Sequence, residues 1–325
     1  MIPPCLLSAY EALDEELKNP VEMLFSQSAE DRLVAVVSLQ HLCDEDSVPF
    51  LVHVLDDSSD DVVFTAVTSL WEIAHQAAVI PLIDCLRGCK PERIRTESLN
   101  ALKELVNQDH LMTLLDCLGE NDVLFQASIL ILLRKIHDVQ ALPSVAVFLD
   151  SEHEDLRKES VTTLRYLNQL THFPPVLELA HDPSVNVRKE TMLTLAHLDQ
   201  AEVIDTLQSS LLEDESWEVR RNAAQALERK SNPQASASLA VAIRDQHWQV
   251  RKFALKALQP HVLEAYAPSI ISLLCDDYSD VRKEAALALG GINSEQSKAA
   301  LSQSINDTDI EVRIASGKSL ARLKP

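Results

Sequence analysis

Residues 182–198 read DPSVNVRKETMLTLAHL, and the same wording returns as DESWEVRRNAAQALERK at 214–230, DQHWQVRKFALKALQPH at 245–261, DDYSDVRKEAALALGGI at 276–292 and DTDIEVRIASGKSLARL at 307–323. The valine ahead of each arginine (Val187, Val219, Val250, Val281, Val312) recurs at nearly equal steps along the chain. Self-similarity at a fixed period, here about 31 residues, marks a repeat architecture. Counting backwards at that period gives Leu156, Leu124, Ile94, Val62 and Asp31 as the matching anchors, so ten units account for almost the whole chain.

Within a unit, small or apolar residues fall at the anchor and four, eight and eleven positions beyond it, as in Val281, Ala285, Leu289 and Ile292. That spacing is one face of an α-helix. Ahead of each anchor lies a second apolar run, such as SVPFLVHVL at 47–55 or YAPSIISLL at 266–274, often with Pro near its start, where a missing N–H costs little. Each unit therefore reads as a helix pair. One pair cannot bury its own apolar face, so neighbours must stack. The predicted fold is all-α: a right-handed or gently curved α-solenoid over residues 1–325, with a capping helix in 1–19 and about ten repeats of about 31 residues in 20–325.

The turn before each anchor has its own regularity, an Asp five residues ahead of the anchor and an Arg one after it. The complete pairs are Asp182/Arg188, Asp214/Arg220, Asp245/Arg251, Asp276/Arg282 and Asp307/Arg313. The acid suits a helix N-terminus and the guanidinium suits the next repeat's carboxylate, so the ladder is expected to be structural rather than five copies of a catalytic pair. Trp217 and Trp248, two residues before their anchors and near His247 and Tyr278, are expected to pack between repeats.

Composition narrows the chemistry. Of 325 residues, 46% are apolar and 4% aromatic, with five Gly and no GxGxxG, GxxxxGK[ST] or GxSxG, so no motif supports nucleotide binding or α/β-hydrolase chemistry. Twenty-nine Lys and Arg against 50 Asp and Glu leave −21, the wrong sign for neutralising phosphates, so nucleic acid is not expected as a partner. The charge is uneven: residues 1–150 hold 25 acids and 9 bases (net −16), and the remainder 25 and 20 (net −5). Acid clusters Asp44-Glu45-Asp46, Asp56-Asp57 and Asp60-Asp61 fall in early turns, serving solubility or a basic partner. Six scattered cysteines without CxxC elements, no secretory leader and no apolar stretch of about 20 residues point to a cytoplasmic protein with no membrane partner.

In the period and in the pattern DxxxxVRxxAxxAL the chain resembles HEAT-repeat proteins, and among them the short repeats of the phycobilisome-lyase type. That resemblance implies a fold shared by bilin lyase subunits, deoxyhypusine hydroxylases, DNA-alkylation repair glycosylases and adaptors. The hydroxylase type binds two irons through repeated His-Glu dyads, of which this sequence has one, His153-Glu154. The repair type needs a basic groove, against the net charge. Cys85 and Cys89, with Cys117 a repeat later, lack the further ligands of a metal site. No catalytic residue, metal or cofactor is expected.

In such solenoids the second helix lines the concave surface, where positions two, six, nine and thirteen beyond the anchor point outward at about 100° per residue. Position two supplies a basic ridge, Lys158, Lys189, Arg221, Lys252 and Lys283, with Arg165 and Lys256 as neighbours. Its expected partner is an acidic segment, or water alone. In units two and four the outward positions are apolar, Phe64 and Trp71, Leu130 and Leu133, with His75 and His137 at position thirteen and Val63 and Phe125 in place of the ladder Arg. They form an expected interaction patch, or reflect irregular packing or a register one residue off. The function expected is a non-enzymatic scaffold or adaptor that binds another protein through its groove. The alternative is a bilin lyase-like subunit handling a tetrapyrrole chromophore and its acceptor protein. Leu320 and Leu323 leave self-association through the last repeat open, and the oligomeric state is not set by the sequence.

Overall fold

A computed structural model describes residues 2–87, 89–167 and 169–323, and among these every regular element is helical. The chain forms two compact units, Met1–Asn168 and Gln169–Pro325. Among the described residues, the first contains the long second helices Ala29–Leu42, Asp60–Ile73, Glu92–Leu105, Val123–Ile136 and Glu154–Leu164. The second contains Val185–Leu195, Trp217–Lys230, Trp248–Leu258, Ser279–Leu289 and Ile310–Arg322. These helices start at a nearly constant step along the chain, so the fold is the α-solenoid read from the period. Within each unit, neighbouring second helices pack against one another.

The boundary expected between residues 19 and 20 falls inside the helix Glu15–Met23, which carries Pro20 and buries Leu17 and Val21. This helix packs on Ala29–Leu42 and so acts as the first helix of repeat one. Several other first helices are short, Val48–His53 and Ala267–Ser272 for example, and open with Pro49 or Pro268 near their N-termini, whereas Glu202–Glu213 and Glu295–Ser304 are longer.

The core is built as the spacing requires. Val281, Ala285 and Leu289 are fully buried and Ile292 is 3% exposed. Ser28, Asp122 and Asp309 each cap a second helix by accepting N–H groups of its first turn. Four second helices end at the same repeat position on a left-handed residue that is not glycine: Cys43, Ala74, His137 and Ser231, with φ of 50°, 57°, 57° and 45°. Such a terminus turns its own N–H back onto the helix, Cys43 to the Leu39 carbonyl and Ala74 to that of Leu70, and each of these side chains strains to adopt it.

The fourth repeat corrects the register. Its second helix begins at Val123 and that of repeat two at Asp60. The equivalent of Val62, third in its helix, is therefore Phe125, not Leu124. Phe125 is fully buried and Leu124 is 53% exposed. Ile94, Phe125 and Leu156 are then evenly spaced. Leu130 and Leu133 move to positions five and eight, which face the core, and both are fully buried. They belong to no exposed patch.

Candidate interaction surface

The turns come first, because they fix where each second helix starts. Arg188 donates Nε and Nη2 to both oxygens of Asp214 (2.7 and 3.1 Å) while Nη1 reaches the Asp182 carbonyl at 2.9 Å. Arg220 treats Asp245, Arg251 treats Asp276 and Arg282 treats Asp307 in the same way. Each carboxylate also accepts the N–H two residues on, as Asp245 does from His247 at 2.8 Å. The bidentate fork thus joins one turn to the next, with the side chains of Arg220 and Asp245 only 16% and 11% exposed. The Arg282 guanidinium and the Asp309 N–H hold the Asp307 carboxyl below its ordinary range. A rung that escaped the sequence reading, Arg32 to Asp57, has the same form in repeat one. Burial opposes the Asp57 charge, but Arg32 and the Ser59 N–H prevail and its pKa is lowered. Its signal was in the sequence, since Asp57 lies five residues before Val62.

On the outward face of the second unit, position-two cations are answered by acids in the first turn of the following helix. Lys189 Nζ lies 3.4 Å from Glu218, Lys252 2.9 Å from Asp280 and Lys283 3.7 Å from Glu311. Lys256 lies 3.2 Å from Glu228. These basic residues are therefore not an open ridge awaiting acidic charge, because the acid one residue before the next anchor partly neutralises Lys189, Lys252 and Lys283, and Glu228 of the preceding second helix does so for Lys256. Arg221 is different: its guanidinium bonds the Asn222 side-chain oxygen at 2.8 Å and lies 5.5 Å from the Trp217 ring, with no ion pair among the described residues. In the first unit Lys158 pairs with Glu159 at 2.9 Å and Asp155 at 3.6 Å, and Arg165 lies 5.4 Å from the Tyr166 ring.

The aromatic residues of the second unit stack between repeats. Trp217 lies on His247 with ring centroids 3.7 Å apart, and Trp248 on Tyr278 at 4.9 Å. Burial lowers the His247 pKa. The rings stay partly open to solvent, Tyr278 at 46%. In the first unit Trp71 is 36% exposed and Phe64 is half-buried with the Arg93 guanidinium 5.6 Å from its ring.

His75 does not join them. The left-handed Ala74 ends the helix, and His75 instead caps the following 3-10 turn, its Nδ1 accepting the Ala77 N–H at 3.2 Å. His137 is itself the left-handed terminus, with Nδ1 2.9 Å from the Tyr166 carbonyl. Cys85 and Cys89 share no helix face, since the helix Val79–Asp84 ends before both. Cys85 is buried, which pushes its thiol up to about 11, and Cys89 is exposed. Among the described residues no group of three His, Cys, Asp or Glu is placed to hold a metal ion, and no helix is long and apolar enough to cross a membrane.

Comparison with known proteins agrees with this construction. A family profile described as HEAT repeats matches residues 18–103, 145–228, 206–262 and 267–325. It lends no support to the finer phycobilisome-lyase resemblance. A search of curated proteins found no match. Among solved structures, an engineered protein is similar over 96% of this chain and 100% of its own, at 18% identity and TM-score 0.54. Yeast importin-β (Kap95p) is similar over 98% of this chain at 13% identity and TM-score 0.62, and its complex with Nup1 matches equally well. The chain spans about half the length of importin-β, 53% in the structure of that protein alone.

Proposed function

The chain belongs to the HEAT-repeat family, and we propose that it works as a non-enzymatic scaffold that binds another protein across the outward faces of its second helices. One observation carries this reading: the chain has three tryptophans, Trp71, Trp217 and Trp248, and all three stand part-exposed on those helices while none lies in the core. Tryptophan gains much from burial and anchors interfaces more than other residues do. This chain builds its core mainly from Leu, Val and Ala, and its tryptophans, though Trp217 and Trp248 stack on His247 and Tyr278, keep apolar area in water that a partner would cover. Importin-β, of the same fold, is captured with Nup1, and the proposal takes that use of the fold to this chain.

Affinity capture from source-cell extract tests it, comparing wild type with Phe64→Ala/Trp71→Ala and with Trp217→Ala/Arg221→Glu after confirming unchanged helicity. A discrete protein retained by wild type and lost by either pair is the expected result. Capture that no pair alters would refute the surface and the function built on it.

A further inference from the structure

We infer that the outward face of the second helices of repeats one and two, Ala29–Leu42 and Asp60–Ile73, receives a basic amphipathic helix. The inference rests on the scaffold reading and gives one surface a partner chemistry.

Residues 26–75 contain ten Asp and Glu against one Arg, net −9. That one cation, Arg32, is committed to Asp57. Glu30, Glu45, Asp46, Asp60 and Glu72 take part in no ion pair among the described residues. Between these charges the helices carry exposed apolar side chains, interspersed with polar ones such as His41 and Thr68. Val34 is 55% exposed, Val37 36%, Leu42 41% and Trp71 36%, with Phe64 half-buried beside them.

Val34, Val37 and His41 follow the i, i+3, i+7 spacing of one helix face, and Phe64, Thr68 and Trp71 the i, i+4, i+7 spacing of another. The two helices pack together at an interaxial distance of about 8–10 Å, with Val37 and Thr68 at equivalent positions of the two repeats. Glu30 and Asp60 stand at the N-terminal ends of the stripes, and Glu72 and the Glu45-Asp46 turn at the C-terminal ends.

Stripes whose apolar members are Val34, Val37, Phe64 and Trp71, bounded at both ends by unanswered carboxylates, fit an occupant with an apolar seam and Lys or Arg at either end. An added β-strand is disfavoured, because the helices use their own backbone groups and offer no free ladder edge. A helix with anchors at i, i+3 or i+4, and i+7 needs none. Charge would speed the encounter, and the apolar seam would set the register.

The test uses the full chain carrying Trp217→Phe/Trp248→Phe, which leaves Trp71 as the sole tryptophan, once circular dichroism matches wild type. A Leu/Lys peptide with an amphipathic helical order, as long as the 14-residue helices it would lie on, is titrated against Trp71 emission. Controls are a peptide of the same composition in shuffled order and a Leu/Glu peptide of the same order. The expected result is a blue shift with the ordered Leu/Lys peptide, at least tenfold weaker binding of both controls, and further weakening by Phe64→Ala, by Asp60→Asn/Glu72→Gln and by raised salt. Equal binding of the shuffled peptide, or binding without change at Trp71, overturns the inference. If the ordered peptide fails while capture from extract still depends on Phe64 and Trp71, the partner chemistry falls and the scaffold reading stands. If capture is also independent of them, both fall.

Discussion

Replacing Arg220 by Ala removes one rung of the turn ladder, and its cost can be worked from the contacts. The guanidinium makes two bonds to Asp245 at 2.7 and 3.1 Å and two to the Asp214 and Glu215 carbonyls at 2.8 and 3.1 Å. An exposed ion pair contributes about 0–1 kcal/mol. Breaking a fully buried pair costs about 3–5 kcal/mol, because the remaining charge is stranded. With side chains 16% and 11% exposed the rung lies between these limits. Asp245 also keeps its bond from the His247 N–H. The expected loss is therefore about 2–3 kcal/mol, a factor of about 30 to 150 in an equilibrium constant.

Repeat stability is local and nearest-neighbour, so the loss should appear first as faster amide exchange in Trp217–Lys230 and Trp248–Leu258 and then as a lower urea midpoint. Lys298→Ala is the control. It removes a pair with Glu295 at 3.0 Å whose side chains are 34% and 90% exposed, and should change stability by less than about 0.5 kcal/mol. If Arg220→Ala costs no more than Lys298→Ala, the ladder is not what ties the turns together.

Leu130→Ala, at a fully buried position, should cost about 2–5 kcal/mol in chemical denaturation, against less than about 1 kcal/mol for the part-exposed Trp71→Ala; equal costs would reject the corrected register of repeat four. Ala74→Gly, where φ is 57°, should stabilise by about 0.5–1 kcal/mol, read as a raised urea midpoint. In a native maleimide time course at pH 8, the exposed Cys5, Cys43, Cys89 and Cys275 should label quickly and Cys85, its thiol pushed up to about 11 by burial, should wait for unfolding. The lowered pKa of Asp307 contributes stability that is present above the unfolded value of about 3.9 and is lost as pH falls through the folded value, so the acid midpoint should move to higher pH in Arg282→Met.

Much of the fold was legible because the residues that make it are tied to the helical period. Val281, Ala285 and Leu289 declare both the helix and its buried face, and the Asp and Arg of each turn sit at fixed offsets that the structure closes into rungs. The slip at repeat four has a physical cause. In VLFQASILILL, residues 123–133, apolar side chains cover nearly the whole helix circumference, so few polar residues set the phase and Leu124 and Phe125 compete as anchors. The surface was harder to read. A helix end set by a strained Ala74, with no glycine to announce it, moved His75 off the face. The lysine partners lie almost a full repeat away, in the first turn of the next helix, and become visible only when position two of one repeat is compared with the residue before the anchor of the next.

The most direct test of the scaffold reading is hydroxyl-radical footprinting of the chain alone and bound to a protein captured from its source cells. The account predicts protection at Trp71 and Phe64, or at Trp217, Trp248 and Tyr278, with no change at Met112, Val147 and Val241, which are 63%, 73% and 60% exposed on the first-helix side. Protection of Met112, Val147 or Val241 with the tryptophans unaltered would contradict it.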